Sequence, residues 1–565
     1  MFRIALVISA LITNLSVAQQ QTVGLFVNEQ DAEPGYTLIA PMLHPAAWLV
    51  DMEGQAVHMW VFSSAFGAAT RLLSNGQLLR TSASPHSWMT GGGLGGRVEL
   101  IDWDGAPVWQ LDYVSEDYML HHDVLQMPNG NVLAVVWDRR GRDSLVAAGF
   151  DVSKLPAGEE HVWSERIVEF KPILPDSATI VWEWSAWDHL VQDFDPAARN
   201  YGNVKDKLQR IDINTATGGD WLHFNAIDYN EELDLIAISV SFLSEIWVID
   251  HSTTTEEARR NYGGRMGSGG DLLYRWGNPQ QYRSRTADDR SLFFNHSVYW
   301  IPEGLPGAGN LMVFDNGSER EGEKYSTVLE LKLPYYEDPY GGTAFFNLDV
   351  DNAFSNPEVI WSYAAPGNFY SDFVSGQQRL PGGNTLIAEG MTGRIFEVDA
   401  MTGNIVWEYI NPVVQMGPLV QGEPIPVFGP PGSLRQQNAV FRSPKYSEDY
   451  PGLAGRDLSP KGFIELPTSS DLPVVSVEAS VLLHPNYPNP FARTTNISFR
   501  IAEPGHVRLG IYDALGRRVI ELADGAYAAG EYTVTLNAEG LSPGVYFCRL
   551  ELNESMAQRT VVLVR

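Results

Sequence analysis

The sequence predicts an all-β protein, built as a six-bladed β-propeller followed by a small C-terminal β-sandwich. Three observations lead to this prediction. The 565 residues include 52 Gly, 34 Pro and 16 Trp, a composition that suits short strands joined by tight turns. A hairpin pattern that ends near a Trp recurs six times. After about residue 465 the composition changes, which indicates a second domain.

The first 18 residues predict a cleavable signal peptide. Arg3 precedes an apolar run, and small residues end that run at Ala18. The alternative is an N-terminal anchor helix, but Asn14 and Ser16 leave the apolar run shorter than a membrane is thick. No later segment is long and apolar enough to span a membrane.

Two alternating elements predict the propeller over residues 19–462. The outer hairpins begin at Ala47, Arg97, Arg166, Ile246, Val328 and Arg394 and end at Trp60, Trp109, Trp182, Trp276, Trp361 and Trp407. The inner hairpins have Asn- or Gly-rich turns at Asn75, Asn129, Asn230, Glu303 and Gly383, with Tyr36–Ile39 as a degenerate sixth copy. Such hairpins cannot bury their own faces, so we expect them to pack radially as blades. We predict six blades, with seven as the alternative count, and an N-terminal strand that helps to close the ring.

A linker over residues 463–484 and a second domain over residues 485–565 are predicted from the remaining sequence. The run Pro467–Pro473 is rich in Pro and Ser. After it, alternating strands with turn residues every eight to twelve positions indicate an immunoglobulin-like sandwich.

The charge and cysteine content exclude several classes of function. With 39 basic and 69 acidic residues the formal charge is −30, which repels nucleic acid and anionic membrane surfaces. An anionic small molecule can bind only where local cations and imidazoles override this field. Cys548 is the only cysteine, so an intrachain disulfide and a cysteine-based zinc cage are excluded, and we expect Cys548 to be a buried strand residue. The glycine run Gly91–Gly96 lacks the Lys-Ser/Thr ending of a phosphate-binding loop, which favours a flexible loop.

Three histidines share one position in successive inner hairpins. His122, His223 and His296 each stand seven residues before the turn. Because strand side chains alternate with period two, an equal offset places the three imidazoles on equivalent faces and at equal depth. A single such histidine is more often a polar residue that caps a strand, but three in one register indicate a site at one mouth of the channel. His121 and His86 receive no role, although they are candidates to line that mouth.

The sequences around these histidines resemble the PAPS-independent arylsulfate sulfotransferases. The resemblance covers about residues 35–455 and is carried by His121–Val124, Leu222–Ala226, Tyr274–Gly277, Asn295–Ser297, Phe314–Gly317, Gln378–Leu380 and Val440–Arg442. It implies cofactor-free transfer of a sulfuryl group from a phenolic sulfate to a phenol, through a covalent sulfohistidine. His296 matches the family's nucleophile, and an imidazole with a pKa near 6.5 is free to attack at neutral pH. His122 and His223 match two histidines that hold the sulfate oxygens or protonate the leaving phenolate.

One position departs from the family pattern. Ser241 stands where the family places an arginine, and a hydroxyl cannot replace a guanidinium that binds sulfate. We predict that Arg379, at the start of the sixth inner strand, substitutes from across the channel; the alternatives are that Arg379 is a solvated strand residue and that the protein is a poor sulfotransferase. Two alternatives remain: a binding propeller that has lost catalysis, and a metalloenzyme in which the three histidines hold Zn²⁺.

The C-terminal segment resembles the sorting domain of the bacterial type IX secretion pathway. It opens with YPNPF at Tyr487, continues with IYDALG and ends with GVY at Tyr546. The resemblance implies that the protein is secreted or placed on the cell surface, with the type IX machinery as its partner. An accessory sandwich that binds carbohydrate or wall polymer is the alternative.

Overall fold

The structure is a computed structural model, and its two compact units comprise residues 1–468 and 469–565. It describes residues 21–62, 67–87, 92–93, 95–337, 344–349, 353–428, 435–467, 481–484, 486, 488–489, 491–512, 517–541, 544–552 and 555–563. The predicted signal peptide lies outside these residues, and the predicted domain boundaries stay predictions.

Among the described residues, the first unit contains six antiparallel sheets of four or five strands, whose hydrogen-bonded order runs from the inner strand outward. Sheet 1 comprises Lys445–Tyr446, Tyr36–Ile39, Ala46–Val50 and Ala56–Val61; sheet 2 comprises Thr70–Leu72, Leu78–Ala83, Gly96–Ile101 and Pro107–Asp112. Sheet 3 comprises Tyr118–Gln126, Val132–Gly141, His161–Ile173 and Ser177–Ser185; sheet 4 comprises Phe224–Asn230, Leu235–Val240, Glu245–Asp250 and Tyr274–Trp276. Sheet 5 comprises Asn295–Trp300, Leu311–Asp315, Thr327–Lys332 and Glu358–Ala364; sheet 6 comprises Gly376–Arg379, Thr385–Glu389, Arg394–Val398, Ile405–Ile410 and Gly24–Asn28.

Short elements connect these sheets. Two-stranded pairs join Leu190–Val191 to Ile211–Asp212, Tyr335–Glu337 to Ala344–Phe346, and Val413–Val414 to Gly417–Pro418. The α-helices are Arg142–Ala147 and Thr255–Ala258. The 3-10 helices are Val152–Lys154, Ala186–His189, Val204–Asp206, Ile213–Thr215, Ser241–Leu243, Pro279–Tyr282, Ala287–Asp289, Gly390–Thr392 and Pro451–Leu453. In the part of the chain that the structure describes, no helix is long and apolar enough to cross a membrane.

Hydrophobic clusters join each sheet of the first unit to the next, and one of them joins sheet 6 back to sheet 1. The tryptophans that end the outer hairpins all belong to these clusters or pack against them: Trp60, Trp109, Trp182, Trp276, Trp361 and Trp407. A buried aromatic side chain contributes about 4–6 kcal/mol of hydrophobic free energy as an upper estimate. The repeated Trp therefore stabilises the contact between neighbouring sheets.

Strands from both ends of the first unit complete its sheets. Gly24–Asn28 pairs with Ile405–Ile410 as the outer strand of sheet 6, and Lys445–Tyr446 pairs with Tyr36–Ile39 as the inner strand of sheet 1. The all-β fold class with a propeller-like body is confirmed. The count of six blades stays a prediction that the cycle of clusters supports.

The second unit consists of two antiparallel sheets around one core. The first comprises Val481–Leu483, Thr494–Ile501 and Gly530–Asn537, and the second comprises Arg518–Tyr527, Gly505–Tyr512, Gly544–Leu552 and Ser555–Leu563. Apolar side chains from both sheets form a single hydrophobic cluster. Cys548 is buried in it, and burial raises the pKa of its thiol to about 12. Cys548 is therefore a core residue of a strand, as the sequence predicts.

Candidate active site

β-Bulges interrupt the inner strands of sheets 3, 4 and 5 at the level of the predicted histidines. The pairing with the neighbouring strand shifts at His122, at Asn225 and at Ser297. His122 and His223 have φ angles of 45° and 54°, and Ser297, next to His296, has a φ of 56°. Left-handed backbone is uncommon outside glycine and concentrates at functional sites. A bulge redirects side chains, so each inner strand turns its histidine at the same level.

The structure brings the three predicted histidines together in a buried cluster. The rings of His122 and His223 have centroids 4.5 Å apart and are nearly perpendicular, at 78°. The relative exposures of His122, His223 and His296 are 3%, 7% and 3%. Burial lowers the pKa of His296 to about 3, and positive charge on the nearby His223 and Arg442 acts in the same direction. His296 is therefore neutral at neutral pH.

Asn316 fixes which nitrogen of His296 is free. The Asn316 side-chain nitrogen donates to the carbonyls of Ser371 and Val374 at 2.8 and 3.1 Å, so its Oδ1 faces the imidazole. Oδ1 lies 2.7 Å from His296 Nδ1 and can only accept, which places the ring proton on Nδ1. His296 Nε2 then keeps its lone pair, as a nucleophilic nitrogen requires.

A carboxylate and an aromatic ring orient His223. Asp220 Oδ2 lies 2.6 Å from His223 Nδ1, and this contact fixes the ring proton on that nitrogen. Phe242 sets the tilt of the ring, because its side chain stacks on the imidazole at 4.5 Å and 4°. The second nitrogen, Nε2, is therefore held in one position.

A chain of buried polar groups extends behind His122. His122 Nδ1 lies 2.7 Å from Nδ1 of His121, and His121 Nε2 lies 2.8 Å from Oε2 of Glu165. The His121 ring stacks on Trp137 at 3.9 Å and 5°. His121 and Glu165 are fully buried, so His121 lies behind the mouth rather than lining it. The sequence showed the adjacent histidine pair but gave no sign of the partner Glu165.

The described part of the glycine run lies against the histidines. A Cβ atom on Gly93 would stand 2.0 Å from His122 Cε1, and Gly93 has a φ of +76°. A Cβ atom on Gly92 would stand 3.9 Å from His223 Cε1. Only glycine permits this approach at position 93. Gly92 and Gly93, within the run that the sequence predicts to be a loop, thus pack against the site.

Arg442 is the guanidinium close to the histidines. Its Nη1 donates to Asp123 Oδ2 at 2.8 Å and its Nη2 donates to the Asn225 carbonyl at 3.2 Å. Its positive charge contributes to the lowered pKa of both His122 and His296, after burial and other groups. Sequence reasoning missed Arg442 as a site residue, although the Val440–Arg442 segment was part of the family resemblance.

A second arginine shares the carboxylate that holds Arg442. Arg71 Nη2 donates to Asp123 Oδ1 at 3.1 Å. Burial raises the pKa of the Asp123 carboxyl, but Arg442 and Arg71 outweigh burial and hold this pKa below its ordinary value. Asp123 is therefore ionised and anchors both guanidinium groups.

The structure places Arg379 outside this cluster. Its guanidinium pairs with Glu330, donates to the Gly383 carbonyl at 2.7 Å and lies over the Trp361 ring at 5.5 Å. These partners belong to sheets 5 and 6 and none is a histidine. Ser241, which the sequence resemblance predicts to replace the family arginine, is fully buried beside His223, and its N–H donates to the His223 carbonyl at 3.3 Å.

A cavity of about 370 Å³ lies along the inner strands, and its lining includes Arg442 and Ser297 but none of the three histidines. Arg442 and Ser297 line one part of it, and Tyr299, Tyr446 and Tyr450 contribute aromatic walls. Its size falls within the range of small-molecule sites. Within the described ranges of the chain, no three His, Cys, Asp or Glu side chains are grouped so as to hold a metal ion.

Two family models match the chain. The model of the arylsulfotransferase (ASST) family matches residues 28–410, and that of the secretion system C-terminal sorting domain matches residues 486–564. No curated protein sequence matches significantly.

Similar solved structures are distant. A protein of unknown function from Bacteroides caccae is 11% identical, covers 67% of this chain and 94% of its own, and gives a TM-score of 0.35. The periplasmic gluconolactonase of Pseudomonas aeruginosa is 10% identical, with 66% and 94% covered and a TM-score of 0.31. The Dos1 propeller is 9% identical, with 69% and 77% covered and a TM-score of 0.26.

Proposed function

The chain belongs to the arylsulfotransferase family, and on this premise we propose that it transfers a sulfuryl group from a phenolic sulfate ester to a phenolic acceptor through a sulfohistidine at His296. The observation that carries the proposal is the neutral, buried imidazole of His296, whose Nε2 lone pair is free because Nδ1 donates to Asn316. A neutral nitrogen nucleophile splits the transfer into two steps and needs no cofactor.

In the first step His296 Nε2 attacks sulfur and the bond from sulfur to the aryl oxygen breaks. The electron pair of that bond leaves on the phenolate, which takes up a proton. In the second step an acceptor phenol loses its proton and attacks the sulfur, and the bond from sulfur to Nε2 breaks. Arg442 is suited to bind the non-bridging sulfate oxygens, and so is His223 in its imidazolium form, which carries a proton on Nε2 as well as on Nδ1, because donors aimed at developing charge lower the barrier. His122 is suited to exchange the proton.

The second candidate is a binding propeller without catalysis. The observation that favours it is Ser241, a buried hydroxyl at the position of the family arginine. A hydroxyl binds a sulfate oxygen more weakly than a guanidinium does. Such a protein would bind an aryl sulfate in the same cavity and leave its ester bond intact.

An assay with 4-nitrophenyl sulfate separates the two candidates. We expect the purified protein to release 4-nitrophenol in the presence of a second phenol and to convert that phenol to its sulfate ester, because the sulfohistidine is discharged by the acceptor. Release measured by absorbance and acceptor sulfation measured by mass spectrometry should be equal. Binding of the aryl sulfate without release would favour the binding propeller.

The C-terminal unit is a secretion-system sorting domain, and the protein is secreted to the cell surface or beyond. We expect deletion of residues 480–565 to leave the first unit folded but retained inside the outer membrane, because the two units have separate cores. Cell fractionation measures the retention. The control is full-length His296→Ala, which keeps the sorting domain and should be exported. Export of the truncated chain at the normal level would contradict the sorting role.

A further inference from the structure

We propose that Glu165, His121 and His122 form a proton relay that serves both steps of the transfer. The relay would protonate the departing phenolate and later take a proton from the acceptor phenol. This inference rests on the proposed function, because it assigns a path to the proton that the transfer moves. Glu165 and His121 would act through His122, which alone of the three is in the histidine cluster.

Each of the two contacts in the relay is short enough for one hydrogen bond. The distances are 2.8 Å from Glu165 Oε2 to His121 Nε2 and 2.7 Å from His121 Nδ1 to His122 Nδ1. The other carboxyl oxygen of Glu165 accepts the Phe224 N–H at 2.9 Å, which fixes the carboxyl group. Stacking on Trp137 fixes the His121 ring. The relay is therefore held in line by contacts on both sides.

Burial and the neighbouring charges keep the resting proton on Glu165. Burial and then Asp220 raise the pKa of the Glu165 carboxyl well above its ordinary value, and Asp138 also raises it. Burial and then His223 lower the pKa of His121 well below its ordinary value. The same causes, followed by His121, His296 and Arg442, lower the pKa of His122. The resting relay is a carboxylic acid followed by two neutral imidazoles.

In this protonation state, each hydrogen bond of the relay has one defined donor and one defined acceptor. Glu165 Oε2–H donates to His121 Nε2, and His121 Nδ1–H donates to His122 Nδ1. His122 then carries its own proton on Nε2, where it can donate to the aryl oxygen of the substrate. This protonation pattern is the one that a general acid needs before the ester bond breaks.

Proton movement along the relay is balanced. As the bond from sulfur to oxygen breaks, the phenolate takes the proton from His122 Nε2, His122 Nδ1 takes the proton from His121 Nδ1, and His121 Nε2 takes the proton from Glu165. The result is a neutral phenol, two neutral imidazoles and the Glu165 carboxylate. In the second step the acceptor phenol gives its proton to His122 Nε2, and the same three transfers run backwards. No net charge accumulates over the full cycle.

A second buried histidine in the chain offers a matched control. His189 Nδ1 lies 2.7 Å from Asp271 Oδ1, and its ring stacks on Trp184 at 5.5 Å and 4°. Its Nε2 donates to the Ala258 carbonyl at 2.8 Å, and Asp271 also accepts from Arg210 Nε at 3.1 Å, so the pair is not followed by a second histidine. His189 therefore has a carboxylate partner and a stacked tryptophan, as His121 has, but it has no neighbouring histidine that could pass a proton to the substrate.

The test compares leaving groups of different basicity in Glu165→Gln and His121→Gln. Phenol has a pKa of about 10, as tyrosine has, so phenyl sulfate needs an acid to depart; the less basic 4-nitrophenolate needs much less help. In single turnovers without acceptor, we expect both variants to slow phenol release from phenyl sulfate by about 10²-fold or more. Release from 4-nitrophenyl sulfate, and the sulfuryl adduct that it leaves, should change little. His189→Gln should leave the ratio of the two rates as in the wild type.

Each outcome decides for or against the relay. A loss confined to phenyl sulfate supports it, and the retained adduct from 4-nitrophenyl sulfate shows that the variants are folded. An equal loss with both sulfates indicates a purely structural role and overturns the relay, as does no loss with either. If the wild type forms no adduct with either sulfate, the proposed function is wrong. The comparison of leaving groups then cannot be made, and the relay is abandoned together with the proposed function.

Discussion

His296→Ala is expected to abolish the covalent sulfuryl adduct altogether. In the wild type, a single turnover with 4-nitrophenyl sulfate and no acceptor should release one phenol per enzyme and leave the protein heavier by one sulfuryl group, because nucleophilic catalysis stores the group on the enzyme. Alanine has no atom that can form that bond. The measurement is intact-protein mass spectrometry together with the absorbance of the released phenol.

Two further variants distinguish the nucleophile from its neighbours. His122→Ala and His223→Ala should slow adduct formation but still yield it, since these residues act on charge and protons in the transition state. Peptide mapping should place the sulfuryl group on His296 in each case. An adduct in His296→Ala, or a label on another histidine in the wild type, would refute the assignment.

The sequence predicted the grouping of the three histidines because their spacing is local. An equal offset from the turn translates into an equal position on neighbouring inner strands. The bulges and the left-handed φ angles at His122, His223 and Ser297 had no such signal, since the residues there are not the glycines that usually mark positive φ. Which nitrogen of His296 is free could not be predicted either, because it depends on Asn316, which follows the next strand.

The charged partners were hard to predict because they are distant in sequence. The expectation for Arg379 placed it at the start of an inner strand, but Arg379 ends the strand Gly376–Arg379, and the packing of sheet 6 on sheet 5 brings Glu330 against it. Arg442 reaches the histidines only because Lys445–Tyr446 returns as the inner strand of sheet 1. No local sequence pattern predicts that a segment so distant in sequence returns to complete sheet 1.

The linker over residues 463–484 was predicted from amino-acid composition, and composition does not show which residues form backbone bridges with another segment. Phe463 forms a bridge with Gln55 and Leu466 forms one with Val420, so residues 463–467 lie on the first unit. The Pro- and Ser-rich run begins only at Pro467. Isolated bridges involve single residues, and the alternation that identifies strands needs at least four.

Arg442→Gln is expected to reduce kcat/KM for aryl sulfate by about 10²–10³-fold, equivalent to about 2–4 kcal/mol of transition-state stabilisation. The reason is that the charge of Arg442 reaches His122 and His296, while Ser241, which the resemblance aligns with the family's arginine, supplies only a hydroxyl. Arg442→Lys keeps the charge but loses the two-pronged geometry, so we expect an intermediate value. Steady-state kinetics with 4-nitrophenyl sulfate measure these effects.

Two arginines in the same chain serve as controls for that loss. Arg71→Gln removes the other cation on Asp123; Arg71 lines the cavity as Arg442 does, but the charge of Arg71 is not among the main causes that shift the pKa of His122 or His296. Arg379→Gln removes a guanidinium whose partners are Glu330 and the Gly383 carbonyl. Both should change kcat/KM far less than Arg442→Gln, although either can lower the thermal midpoint because a buried carboxylate loses its partner. A loss in Arg71→Gln equal to that in Arg442→Gln would mean that Arg442 acts by holding Asp123. A large loss of kcat in Arg379→Gln alone would instead return the role of the missing family arginine to Arg379.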